Sequence, residues 1–346
     1  MPLPWTRVLS FNSSAVMEGT DVQIAQYLLV RAKYLKRASG KYDSATKLAV
    51  ADFQRAHGGG KGKAKLIPRF TLGVFGEDTA TTLLKLYSAD GYKDNGVPAG
   101  KVSPKYLYKL HVPVHVNRSI VTRATLLDAH NKVLHTFVVR AHGHRDNDVG
   151  TLPWPDFGDG DIGLSQFVGS GDTTTGLIEV DLNTAEPDPV LYGPWPINRL
   201  VRGLEGNAKF LLPNIRDGQL LHTGNWSTDA TGPWLPSMPM PNSSGCLHAH
   251  PEDIQRVYQL LLGLGVQVRQ NPFSGKNYPY SPQGLCSIEL VGREGMCYSY
   301  ITSSKSCVCL WHKESQTGRR GGVGLGLSGA WRGDAVAPLR LRLAGM

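Results

Sequence analysis

The hydrophobic period of the chain changes once, at a stretch punctuated by glycine and proline, Asp94-Asn-Gly-Val-Pro-Ala-Gly-Lys-Val-Ser-Pro104. Before it, apolar residues recur every three or four positions, as an amphipathic helix requires. After it they alternate, as on a half-buried strand. Val112, Val114 and Val116 alternate with Pro113, His115 and Asn117, the run Val133 to Val139 is β-rich, and Leu177 to Leu182 alternates again. Two periods divided by a linker predict an α+β molecule. It comprises a small helical module over 18–92, a linker over 93–104 and a mostly β domain over 105–291.

The helical part contains a repeat. Gly40-Lys-Tyr-Asp-Ser-Ala-Thr46 is echoed by Gly73-Val-Phe-Gly-Glu-Asp-Thr79, 33 residues on. Each copy reads as a turn glycine, an aromatic, a capping acid or hydroxyl and then a helix. Asp43 or Ser44 is expected to cap a helix with Leu48, Ala49, Phe53 and Ala56 on one face. Glu77 or Asp78 is expected to cap the next, led by Leu83, Leu84 and Tyr87. Upstream, Val22, Ala25, Leu28, Leu29, Ala32 and Leu35 form a further stripe after Asp21. Three short helices make one bundle. The insertion His57-Gly-Gly-Gly-Lys-Gly-Lys-Ala-Lys65 reads as a basic loop.

Charge is distributed unevenly. The formal net charge is +9, made of +6 over residues 1–100, −2 over 101–291 and +5 over 292–346. A nucleic-acid protein concentrates Lys and Arg on its functional domain. Here the long middle part is slightly acidic, which argues against a nucleic-acid partner. No run approaches the roughly 20 apolar residues of a membrane-spanning helix, and none reads as a secretory signal. The segment 292–346, rich in Ser, Gly and Arg, is expected to be a disordered tail. Its Cys307-Val-Cys309 with His312 lacks the paired spacing of a zinc site.

Cys286, Cys297, Cys307 and Cys309 lie towards the end, which leaves Cys246 alone in the body of the chain. Five cysteines in this placement are no disulfide framework. The neighbours of Cys246 favour a working thiol over a buried small hydrophobe. Asn242-Ser243-Ser-Gly-Cys246-Leu-His248-Ala-His250-Pro251 ends where Ile254, Val257, Tyr258, Leu261 and Leu262 begin a helical stripe. A helix is therefore expected from Pro251, closed by Gly263 and Gly265. Gly245 permits unusual dihedrals beside the sulfur, and the nearby helix N-terminus is positioned to favour a thiolate. Backbone N–H groups of Ser244, Gly245 and Cys246 suit an oxyanion hole. In Gly218-Gln-Leu-Leu-His222-Thr-Gly-Asn225, an apolar strand end delivers a histidine into a glycine turn, where it can take the thiol proton.

The segment 18–92 resembles the three-helix peptidoglycan-binding module attached to many cell-wall enzymes, through its Asp21-Val-Gln-Ile-Ala-Gln-Tyr-Leu helix, Phe53-Gln54 and the repeated Gly–Thr string. His222-Thr-Gly-Asn followed by Ser243-Ser-Gly-Cys246 resembles the signature of the L,D-transpeptidase catalytic domain. The likeness covers 105–291, including Gly171-Asp-Thr-Thr-Thr-Gly-Leu-Ile-Glu-Val. This resemblance implies that Cys246 attacks a carbonyl of a peptidoglycan stem peptide and expels the terminal residue. The acyl group is then passed to an amine or to water. It implies His222 as general base and acid, Ser243 and Gly245 as organisers of the histidine or the turn, and His248, Ser244, Gly224 and Asn225 as substrate-binding residues. It implies no metal or organic cofactor, and a substrate in the cell envelope. One departure stands out: the family places an arginine two residues after the cysteine, where this chain has His248, and a histidine cannot clamp a carboxylate in bidentate fashion. Two alternatives follow. One is a peptidoglycan-binding protein without turnover. The other is a zinc-dependent peptidase or amidase, because His248 and His250 alternate with Cys246 and His222 could join them. The insert Trp226 to Pro241 reads as a lid or a rigid loop, and His142-Gly-His144 as loop. No pattern fixes the oligomeric state.

Overall fold

The structure, a computed structural model, describes residues 4–59, 65–115, 118, 120–141, 166–168, 171–225, 240 and 243–291. The tail 292–346, the loop residues 60–64, His142 to His144 and the greater part of the insert Trp226 to Pro241 lie outside them. The described residues all fall within one compact unit.

The helical periods become α1 (Thr20–Arg31), α2 (Ser44–His57) and α3 (Glu77–Tyr87). Asp43 caps α2, its carboxylate accepting the Thr46 N–H at 2.8 Å. α3 departs from expectation: Gly76 is its N-cap, and Glu77 and Asp78 sit in the first turn, where carboxylates still favour the helix dipole. α1 ends before Leu35, because Lys33 turns into the left-handed region (φ 65) and the Tyr34 and Leu35 N–H groups both return to the Leu29 carbonyl. In α2 the buried face is Ala49, Val50 and Phe53, while Leu48 is exposed, so the stripe is rotated by about one position from the one expected. The core also draws in residues ahead of the expected module. Trp5 and Leu9 are fully buried with Phe53, Phe75 and Leu84. The Trp5 indole donates to the Asp21 carbonyl at 2.8 Å.

The two copies of the repeat build one device twice. Gln26 donates to Thr46 Oγ1 (2.7 Å) and accepts the Gly40 N–H (2.8 Å). Gln54 donates to Thr79 Oγ1 (2.9 Å) and accepts the Gly73 N–H (2.8 Å). Each buried amide thus clasps the glycine turn to the first turn of the following helix.

Beyond α3 the expected linker is strapped down. It contains a helical turn, α4 (Ala99–Val102). Asp94 pairs with buried Lys109 at 2.7 Å and takes its N–H to Glu289, and Asn131 donates to the Gly96 carbonyl at 2.7 Å.

Among the described residues eight strands follow: β1 (Tyr108–His115), β2 (Thr122–Asp128), β3 (Val133–Ala141), β4 (Gly176–Asn183), β5 (Ile197–Gly203), β6 (Leu220–His222), β7 (Leu247–Ala249) and β8 (Gly284–Val291). They close in the order β1-β2-β3-β7-β6-β5-β4-β8. Short helices α5 (Pro189–Tyr192) and α6 (Ala208–Leu211) connect them, and α7 (Pro251–Gly263) starts at Pro251 as expected. The architecture is α+β, a helical region before a barrel. One face of the strands supplies the hydrocarbon core: Phe137, Val139 and Ala141 of β3, Leu221 of β6, and Leu247 and Ala249 of β7 meet Ile254, Val257 and Leu261 of α7. Cys286 of β8 is a core residue there. Against this barrel the helical module stacks Tyr27 on Phe210 at 3.9 Å, and Asp90 accepts the Thr175 hydroxyl at 2.9 Å.

Candidate active site

Because strand side chains alternate, a core-facing Leu221, Leu247 and Ala249 force His222 and His248 to the opposite face. The register makes this a row across three strands. Arg140 of β3 pairs with His248 of β7, and His248 pairs with His222 of β6. The rings of His222 and His248 meet edge to face with centroids 4.7 Å apart, and the Tyr192 ring centroid lies 5.0 Å from that of His222. β6 and β7 run parallel with Leu221 opposite Leu247. Cys246, immediately before β7, is therefore the diagonal neighbour of His222, a relation in which Cβ atoms lie roughly 7–8 Å apart or closer.

The turn carrying the thiol is held from both sides. Ser243 Oγ donates to the Cys246 carbonyl at 2.9 Å and accepts the Gly245 N–H at 3.2 Å. Ser243 thus organises the turn. Gly245 has φ +111, and a Cβ there would stand 2.2 Å from Arg216 Nη2, so both conformation and space demand glycine. Arg216 is buried and donates to four carbonyls, those of Gln166 (2.9 Å), Asp172 (2.9 Å), Gly171 (3.1 Å) and Ser244 (3.1 Å). It ties the thiol turn to the segment ahead of β4.

The ionisation of both reactive groups follows from burial. The Cys246 thiol is pushed up to about 11, because desolvation outweighs the Leu220 N–H, Arg216 and Arg199, which favour the thiolate. The sulfur is placed to donate to the Gly218 carbonyl at 3.8 Å. The expected help from a helix terminus is not the operative one: β7 intervenes before Pro251, and a helix dipole acts within its first turn. Burial pushes His222 down to about 4, although its bond to the Thr223 carbonyl favours the charged ring. That bond, Nδ1 to Thr223 O at 2.7 Å, has a carbonyl as acceptor, so Nδ1 carries the proton and Nε2 is the basic nitrogen. The resting site therefore holds a thiol and a neutral imidazole. Cys246 is half-buried as a residue, neither sealed in hydrocarbon nor open.

The remaining expected residues are dispersed. Ser244 is exposed, with its carbonyl on Arg216. Gly224 is buried, and exposed Asn225 gives its N–H to the Val190 carbonyl at 2.7 Å, which fixes the strand end after His222. His250 is the N-cap of α7. Among the described residues, no group of three His, Cys, Asp or Glu side chains is arranged to hold a metal ion, so the zinc reading finds no donor set there. Sequence reasoning passed over the Thr223 carbonyl, Arg216, Tyr192 and Arg140. For Arg140 a signal existed, a charge directly after the β-rich run Val133 to Val139. Nothing marked Arg216.

Residues 18–59, which span α1 and α2, match the family described as "Putative peptidoglycan binding domain". The match supports peptidoglycan as a partner and an association with the cell wall. No curated protein and no solved structure matches the chain. No helix among the described residues is long and apolar enough to cross a membrane.

Proposed function

We propose that the protein is a cysteine acyltransferase of the L,D-transpeptidase type, acting on peptidoglycan stem peptides that its N-terminal module brings to the barrel. The observation that carries this reading is the placement of Cys246, immediately before β7, as the diagonal neighbour of His222 on the parallel strand β6, with the imidazole held in one tautomer by the Thr223 carbonyl. Because both groups are neutral at rest, the proton moves as the bond to carbon forms and not before it. The Cys246 proton passes to His222 Nε2 as Sγ bonds to the substrate carbonyl carbon. The amine of the terminal residue then leaves with that proton, and a thioester remains. An amine of a second stem, or water, attacks the thioester, gives its proton to the imidazole, and the thiol is restored. In that turn the Gly245 N–H, expected as an oxyanion donor, is taken by Ser243 Oγ, so the role falls to the Cys246 N–H.

Incubation with a carbapenem, followed by intact-protein mass spectrometry and peptide mapping, tests the nucleophile. One adduct on Cys246 is expected, and none in Cys246→Ala. Incubation with a disaccharide-tetrapeptide should yield cross-linked or tripeptide products from the wild type only. The high position of the thiol's ionisation favours a second reading, a wall-binding protein without turnover. Absence of both adduct and product from folded protein would establish it.

A further inference from the structure

Four arginines among the described residues are at least nine-tenths buried, and three of them have their charge answered. Arg118 lies 3.9 Å from Asp172, Arg199 bonds Glu186 at 2.6 Å, and Arg216 holds four carbonyls near the same Asp172. Arg140, 8% exposed, differs. Nη1 donates to the Met240 carbonyl, Nε has no hydrogen-bond partner (nor has that of Arg216), and what sets Arg140 apart is that no ion pair among the described residues includes it. Burial alone acts on its charge. An unpaired buried guanidinium is a large desolvation penalty that neither folding nor packing offsets.

Its position gives the penalty a use. Arg140 stands in the row with His248 and His222, on the face that carries Cys246. Cys246 precedes His248 by two residues, so it is a diagonal neighbour of Arg140 as well, again at roughly 7–8 Å between Cβ atoms. A carboxylate one residue beyond a carbonyl under attack lies about 3.8 Å from it, the span of one residue. The arginine side chain covers the remaining distance. A carboxylate further along the peptide would overshoot.

Resting on the acyl-transfer reading, which already implies loss of one terminal residue, we propose that Arg140 is the residue of this chain that binds the free carboxylate of that departing residue. A bidentate guanidinium–carboxylate pair satisfies the orphaned nitrogen and neutralises the charge together.

The test separates binding from turnover by using the full chain with Cys246→Ala. Three probes are titrated calorimetrically: a stem tetrapeptide, its C-terminal carboxamide, and the tetrapeptide with its side-chain carboxylates amidated. The C-terminal carboxamide should bind at least tenfold more weakly than the acid, and the side-chain amides nearly as well as the acid. Adding Arg140→Met should abolish the difference, while Arg140→Lys keeps part of it. Thermal melts establish that each variant is folded, and the comparison of acid with carboxamide needs no Arg140 variant at all. Equal binding of acid and carboxamide, no binding of either, a loss that follows the side-chain amides, or a preference that survives Arg140→Met overturns the assignment. A carboxylate preference without any thioester in the wild type would sink the catalytic reading and leave the anion site standing. Turnover without the preference would do the reverse.

Discussion

The helical module and the face of β6 and β7 that carries His222 and His248 both bury polar side chains, and they treat them in opposite ways. In the module, Gln26 and Gln54 have amide oxygen and nitrogen both engaged, each with a glycine N–H and a threonine hydroxyl. In and beneath the barrel site, Arg140 Nε, Thr223 Oγ1 and both amide atoms of Gln219 are buried without partners, while among the described residues the module has no such atom. A saturated polar network fixes one conformation. Orphaned atoms are not confined to the site, since Asn131 Oδ1, Arg269 Nε and Asn271 Nδ2 are buried without partners too, but those at the site are the ones a ligand there would complete. The contrast distinguishes a part of the molecule that is finished on folding from a part that is finished on binding.

Substitutions can break that contrast, and the largest effect is expected in the module. Gln54→Ala removes bonds to Val74, Thr79 and Gly73 and leaves their groups buried and unmet. A loss of about 4 kcal/mol is expected from denaturant unfolding, and a loss below about 1 kcal/mol would remove the distinction. Gly245→Ala forces an L-residue into the left-handed region against Arg216. About 3 kcal/mol of destabilisation is expected by the same measurement, together with loss of carbapenem acylation. His222 gives a pH signature. Its ring is held at about 4 in the fold against 6.5 ordinarily, so below pH 6.5 the unfolded chain takes up the proton first. Stability attributable to His222 is full above pH 6.5 and falls as pH drops towards 4, by up to about 3 kcal/mol. Thermal melts across that range should show a shallower slope in His222→Gln. The smallest effect has the opposite sign. Arg140→Met should leave stability unchanged or raise it by about 1 kcal/mol, because an uncompensated buried charge is removed. A severe loss there would mean that Arg140 is a structural residue.

Much of this was legible along the chain, for reasons of short-range physics. The helices followed from the spacing of Ala25, Leu28 and Leu29 and from Asp43, whose carboxylate reaches the Thr46 N–H three residues on. The strands followed from alternation at Val112 and Val114. What failed locally was phase. Leu48 and Val50 are equally apolar, and only the packing of α1 and α3 decides which is buried. Trp5 and Leu9 could not be assigned to the module because their partner, Phe75, lies far along the chain.

The sequence by itself determined the periods, the repeat, the lone thiol beside a glycine and a histidine at a strand end, since each depends on residues within a turn or a strand of one another. Only the tertiary structure decided that His222 and His248 share a row, that Arg140 completes it, and that Arg216 lies beneath Gly245. Those relations depend on which strands are neighbours and in what register. Barrel closure fixes that register by burying Leu221, Leu247 and Phe137 on the other face, so the site is the reverse side of a choice made by the core.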